Sequence, residues 1–195
     1  MSRRKQHKRE MSTLPALSDD VHAMFDELQG QSDRGMVLIA AAYLEEILGV
    51  MLGAHLVDVD VDRDLRKSLL TDPGSPFGTF SSRIKGTYAL GLIGPDMRHN
   101  LDVIRDVRNL FAHHYRKLEF ASPDVNDHFK SMRPDIPILP VNDPRYVTGE
   151  WFTVSFALLA SRLMLRAHEI KRVEKAKDYP TGVEFLFGDR ESRGG

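Results

Sequence analysis

Apolar positions along this chain recur at helical spacing, and the strongest instance runs from Met36 to Leu52. The pattern predicts a helix opening after Ser32 and Asp33 and running toward His55, apolar nearly all round and so central and buried. Ahead of it a shorter helix is expected from a cap at Ser18 or Asp19, with Val21, Met24, Phe25 and Leu28 on one face and a stop at Gly30. A short helix through Leu70 follows, capped by the last aspartates of the run Asp58, Asp60, Asp62 and Asp64. Residues 71–80, TDPGSPFGTF, form a turn-rich loop. SSRIKGTYALGLI then predicts a third helix ending at Gly94, and Pro95 with Asp96 opens a fourth, so the two pack as an antiparallel hairpin. In the fourth, an apolar arc collects Leu101, Val103, Ile104, Val107, Leu110, Phe111 and Ala112. From Ala121 to Glu150 five prolines and little periodicity predict a long, partly ordered excursion. A strong last helix starts at Trp151, and the tail beyond it keeps Phe185, Leu186 and Phe187.

This order of elements, without a strand pattern, predicts an all-α antiparallel helical bundle with a proline-containing excursion before the last helix. The 195 residues, 42% hydrophobic, suit one domain. Its expected span is 16–176, behind a disordered basic arm at 1–15 and ahead of a tail at 177–195. The basic start, SRRKQHKRE, has no apolar core after it and is not a signal peptide. Met36 to Leu52 falls short of a bilayer span and carries Glu45 and Glu46, so no membrane association is expected.

Charge and cysteine content narrow the chemistry. Lysine plus arginine number 27 against 28 acidic residues, for a net charge of −1, so nucleic-acid affinity would have to come from a local patch. The absence of cysteine excludes disulfides, zinc–thiolate sites and thiol nucleophiles, and fits a cytoplasmic protein. The alternating aspartates fail as a calcium loop, because Arg63 stands where glycine is needed and Leu69 where a bidentate glutamate is needed. His7, His22, His55, His99, His128 and His168 lack metal-ligand spacing. Neither a metal nor a cofactor is expected.

The richest chemistry lies in RNLFAHHY, Arg108 to Tyr115, where a guanidinium, an amide, two imidazoles and a phenol share one helix end. Arginine clamps phosphate bidentately and histidine trades protons near neutral pH, so the cluster suits phosphodiester chemistry. Arg108 falls inside the apolar arc, where a cation is costly unless paired, so it is expected to partner Glu45 or Glu46, to form the floor of a cleft, or both. Asn109, four residues before His113, is placed to orient its imidazole. Arg108 and His113 lie about 140° apart on a regular helix, so sharing one phosphate requires a distortion near Ala112 or a symmetric dimer, of which the dimer is preferred. Arg105 extends the polar stripe and, with Arg83 and Lys85 on the hairpin partner, is a candidate to bind RNA; solvated surface charge is the competing and favoured reading of Arg83 and Lys85. A structural salt bridge and a helix-end cation are the competing explanation of the motif.

Arg108-x4-His113 with Asn109 resembles the signature of the HEPN superfamily of small all-helical domains. More closely, FSSRIKGTYALGLIGPDMRHNLDVIRDVRNLFAHHY with the following LEFASPDVNDHF is similar to the mannitol operon repressor (MltR-like) family, over roughly residues 31–167. The first resemblance implies a HEPN-like bundle and a metal-independent, homodimeric endoribonuclease of a toxin–antitoxin or antiviral type. His113 would then be general acid/base, with His114 as the alternative, Arg108 the phosphate clamp and Asn109 the orienting residue. Tyr115 would stand where some such toxins are AMPylated by an antitoxin partner. The second resemblance implies a transcriptional regulator; without a convincing basic recognition helix it would act through a protein partner. A non-catalytic helical adaptor is the third possibility. A nuclease needs Arg108 and His113 facing one cleft, a DNA reader needs a continuous basic surface, and an adaptor needs an exposed apolar patch.

Overall fold

The computed structural model describes residues 26–56, 63–115, 117–133 and 149–174. The expected basic arm, C-terminal tail and most of the first short helix lie outside them, as do Asp58, Asp60 and Asp62. Of that first helix the last turn is described: residues 26–28 are helical, Leu28 is buried, and Gly30 turns the chain at φ +80°.

The described residues are helical, without a strand among them. Six helices follow: α1 (Asp33–His55), α2 (Arg63–Leu70), α3 (Phe80–Ala89), α4 (Pro95–His113), α5 (Pro123–Lys130) and α6 (Gly149–Glu169). The hydroxyl of Ser32 accepts a hydrogen bond from Gly35 N at 3.2 Å, which fixes the start of α1. Ten of its residues are buried, among them Val37, Leu44, Leu48 and Met51, and α3, α4 and α6 all pack on it. Among the described residues α1 alone has the length and composition to cross a bilayer, yet its apolar surface is spent on the bundle core.

Thr79 and Ser82 form a reciprocal capping box that starts α3. The helix stops at Ala89, four residues before Ile93, where the sequence pattern carries it. Gly91 takes φ +69° and Leu92 N donates back to Thr87 O at 2.9 Å, a glycine-terminated helix end. Leu92 and Ile93 are buried as the plug of the corner. Pro95 occupies the first turn of α4, as the Gly94–Pro95 corner predicts. The hairpin is antiparallel: Arg98 at the start of α4 lies 4.6 Å from the ring centroid of Tyr88 near the end of α3. Farther along α4, Arg105 reaches Ser81 in the first turn of α3.

Part of the expected excursion is ordered as a helix. Pro123 opens α5, whose Val125 and Phe129 are buried, and residues 134–148 lie outside the described set. Asn100, 1% exposed, holds the end of α5 to α4: its Oδ1 accepts from Arg133 N at 2.8 Å and its Nδ2 donates to Arg133 O at 3.2 Å. A run of rings then ties α5 and the loop after α4 to α6. Phe120 stacks on Phe152 at 5.0 Å, Phe129 lies 5.8 Å from Phe152, and Phe152 stacks on Phe156 at 6.3 Å.

Candidate functional site

The face of α4 turned to the core carries Leu101, Val103, Ile104, Val107 and Phe111. Arg108 does not join it. Its side chain is exposed, and its Nη1 donates to Asn109 Oδ1 at 3.1 Å. The reason is the shortness of α3. That helix covers the Leu101 side of α4 only as far as its own first turn, where Ser81 meets Arg105, and Arg108 lies two turns beyond Leu101 on the same side. Ala112, one turn further, is exposed for the same reason.

The arginine that does enter the packed framework is Arg83. Its Nε donates to Phe77 O at 2.9 Å, Nη1 to Glu45 O at 2.8 Å and Nη2 to Leu70 O at 3.0 Å, so one guanidinium ties α1, the end of α2 and the following loop together. Glu45 thus receives an arginine through its main-chain carbonyl, and neither its carboxylate nor that of exposed Glu46 pairs with Arg108. With its donors directed at three carbonyls, Arg83 belongs to the framework and not to an RNA groove. Lys85 is exposed on α3. Arg105 is held by Asp102 Oδ1 at 2.5 Å and Asp106 Oδ1 at 2.9 Å, which neutralises the polar stripe at that level.

His113 ends α4 and is exposed. With Asp106, Asn109, Leu110, His114 and, from α5, His128, it lines an open depression of about 400 Å³. Arg108 is outside that lining. α4 continues unbroken through Ala112 to His113, so the distortion that was the alternative to a dimer is not present, and the two motif residues stay on different sides of one helix. The Asn109 side-chain oxygen accepts from Arg108, an arrangement that the reading of Asn109 as orienter of His113 did not foresee.

The helix end itself is firmly placed. His114 N donates to Leu110 O at 3.0 Å, and its carbonyl accepts from Arg34 Nη2 at 2.6 Å, a cation at the negative end of the α4 dipole. The His114 ring stacks on Tyr115 with centroids 6.2 Å apart and planes 13° from parallel. Tyr115 is 86% exposed. Beyond it, Lys117 is raised above its ordinary value by its hydrogen bond to Glu119 and by that carboxylate's charge. Asp33 Oδ2 accepts from Phe120 N at 2.8 Å, returning the chain to the start of α1.

His128 is the site residue the sequence pattern missed. No spacing links it to the motif. Only the packing of α5 along α4 does, and an eight-residue helix inside a proline-rich stretch gives little periodicity to find it by. Its imidazole brings the histidines of the depression to three, yet among the described residues no group of three His, Asp or Glu side chains is placed to hold a metal ion. The accessible lining of the hollow is mainly apolar, with the imidazoles and the amide contributing a few donor and acceptor atoms to it.

Neither a family model nor a curated protein sequence matches this chain. A solved structure does. The fold is similar to a chain in the X-ray structure of the MtlR–HPr complex from Escherichia coli, with a TM-score of 0.55 and 18% sequence identity over 78% of this chain and 99% of that one. At that identity the likeness establishes a shared fold. It agrees with the mannitol-repressor resemblance at the level of architecture, while the HEPN relationship rests on the Arg108-x4-His113 motif alone.

Proposed function

We propose that this chain is a non-catalytic regulatory domain that acts by binding another protein through the end of α4. The observation that carries this reading is Tyr115, an aromatic 86% exposed, stacked on His114 at the rim of the depression formed with His113 and His128. An amphipathic ring held out of the core beside polar side chains is the kind of anchor that dominates protein interfaces. The structurally similar chain belongs to a complex between MtlR and a second protein, HPr, which supports regulation through a protein contact. Direct reading of DNA has less support: Arg83 is turned into the fold and Arg105 is neutralised by two aspartates.

The ribonuclease is the second reading, and the exposed His113 at an open surface favours it. It requires a second copy to bring an Arg108 opposite each His113, since the two stand about 140° apart on one helix. In that arrangement His113 or His114 would exchange protons with the 2′-hydroxyl and leaving oxygen of RNA while Arg108 met the phosphate.

One experiment separates the two. The purified chain, Arg108→Ala and His113→Ala are incubated with a labelled RNA pool in EDTA, and binding of purified HPr to the chain and to Tyr115→Ala is followed by calorimetry. Regulation through the α4 end predicts intact RNA with all three proteins and a complex that Tyr115→Ala weakens. Cleavage by the unmodified chain, lost in both motif variants, overturns it in favour of the nuclease.

A further inference from the structure

Two consecutive residues of α1, Asp33 and Arg34, grip both ends of the loop that carries Tyr115. Arg34 Nη2 donates to the carbonyl of His114 at 2.6 Å, and Asp33 Oδ2 accepts from the amide of Phe120 at 2.8 Å. Main-chain groups at positions 114 and 120 are thereby held by neighbours whose own Cα atoms stand about 3.8 Å apart. From the core side Phe111 and Phe120, both buried, close the same neck with ring centroids 5.9 Å apart. Just beyond it Glu119 N donates to Ser122 Oγ at 3.0 Å, and Ser122 N donates back to Glu119 O at 2.9 Å. A surface loop with its ends drawn together and its side chains turned to solvent is a compact form that often carries recognition.

The gripping side chains are placed against the needs of their own helix. Ser32 already caps α1 through Gly35 N, which leaves the Asp33 carboxylate to take the Phe120 amide. Arg34 lies in the first turn of α1, where a cation faces the positive end of the dipole and is disfavoured. Its guanidinium reaches instead the C-cap carbonyl of α4, at the negative end of that helix, where a cation is favoured. A residue that opposes its own helix and suits another is placed for the contact between the two.

We infer that Asp33 and Arg34 are positioning residues for recognition at the α4 end: they fix the loop in one shape, so that a protein partner meets Tyr115 already ordered. Their part in binding rests on the α4-end reading. Neither acts by touching the partner. The carbonyl that Arg34 holds belongs to His114, the residue whose ring stacks on Tyr115, so the grip sets where both rings stand. An aromatic anchor on a loop free to move gives up conformational freedom when it docks, and one on a loop held beforehand does not.

The full-length chain and its variants are titrated with purified HPr by calorimetry, and amide exchange is followed in the same proteins without HPr. Arg34→Met and Asp33→Ala should each weaken the complex about tenfold, the scale expected for ordering one or two side chains at an interface. Asp33→Asn keeps an acceptor oxygen and should stay near the unmodified chain. In the Tyr115→Ala background neither substitution should weaken binding further, a coupling that a general loss of stability would not produce. Exchange at residues 114–120 should rise in Arg34→Met and Asp33→Ala more than in α3. If Tyr115→Ala weakens the complex but Arg34→Met and Asp33→Ala do not, or weaken it equally with and without Tyr115, the positioning role is overturned and the α4-end reading stands. A chain that binds no HPr overturns that reading and, with it, the part of both residues in recognition. Exchange at 114–120 that neither variant speeds overturns the grip whichever way binding falls.

Discussion

Arg83 and Glu45 meet through a main-chain oxygen: the guanidinium Nη1 of one lies 2.8 Å from the carbonyl of the other, on the side of α1 where Gly49 leaves room. A Cβ on Gly49 would stand 2.8 Å from that same nitrogen. The glycine is therefore the seat of the arginine, and three separated parts of the chain depend on the pair.

Removing the arginine leaves three carbonyls without this donor in a partly buried setting. Arg83→Met should lower unfolding stability by about 2–4 kcal/mol, and Arg83→Lys should recover little because one ammonium cannot fork to three acceptors. Midpoints of denaturant unfolding measure both.

Gly49→Ala should destabilise the protein by about 1–2 kcal/mol even though alanine is the better helix former by about 1 kcal/mol, because the pinned guanidinium has to move. With Arg83→Met already in place the same substitution should become stabilising. A double-mutant cycle reads the change of sign, and additive single and double effects would remove Gly49 from its role as the seat.

Asn100 exchanges two hydrogen bonds with the main chain of Arg133. Asn100→Leu should cost about 2–3 kcal/mol and, more tellingly, should speed amide exchange at residues 131–133 more than in α1. Equal acceleration in both regions would argue against a local clamp.

Tyr115→Ala should leave stability within about 0.5 kcal/mol of the unmodified chain, since the ring is 86% exposed, while weakening any protein complex formed at the α4 end. Thermal melts and binding isotherms on the same preparation check the two halves together.

Much of the bundle follows from spacing alone. α1, α4 and α6 are long enough for the apolar period to declare them, and the Gly94–Pro95 corner marks its own position. The chemistry is less legible, for reasons of reach. Arg108 lies on the arc that periodicity marks as buried, but burial depends on a neighbour, and α3 begins too low on the hairpin to cover it. Arg83 looks like a surface cation because its acceptors come from positions 45, 70 and 77, which no local pattern brings together. His128 joins His113 and His114 only through the packing of α5, and a two-turn helix leaves too short a signature to announce that packing.

The central position of α1 has a consequence for synthesis. Its partners α3 and α4 follow within the next sixty or so residues, whereas α6 comes only after Gly149. While the ribosome is still working toward that helix, the side of α1 meant for it is uncovered, on a segment whose composition would suit a bilayer. Burial of α1 is therefore completed in turn, first by the α3–α4 hairpin and last by α6.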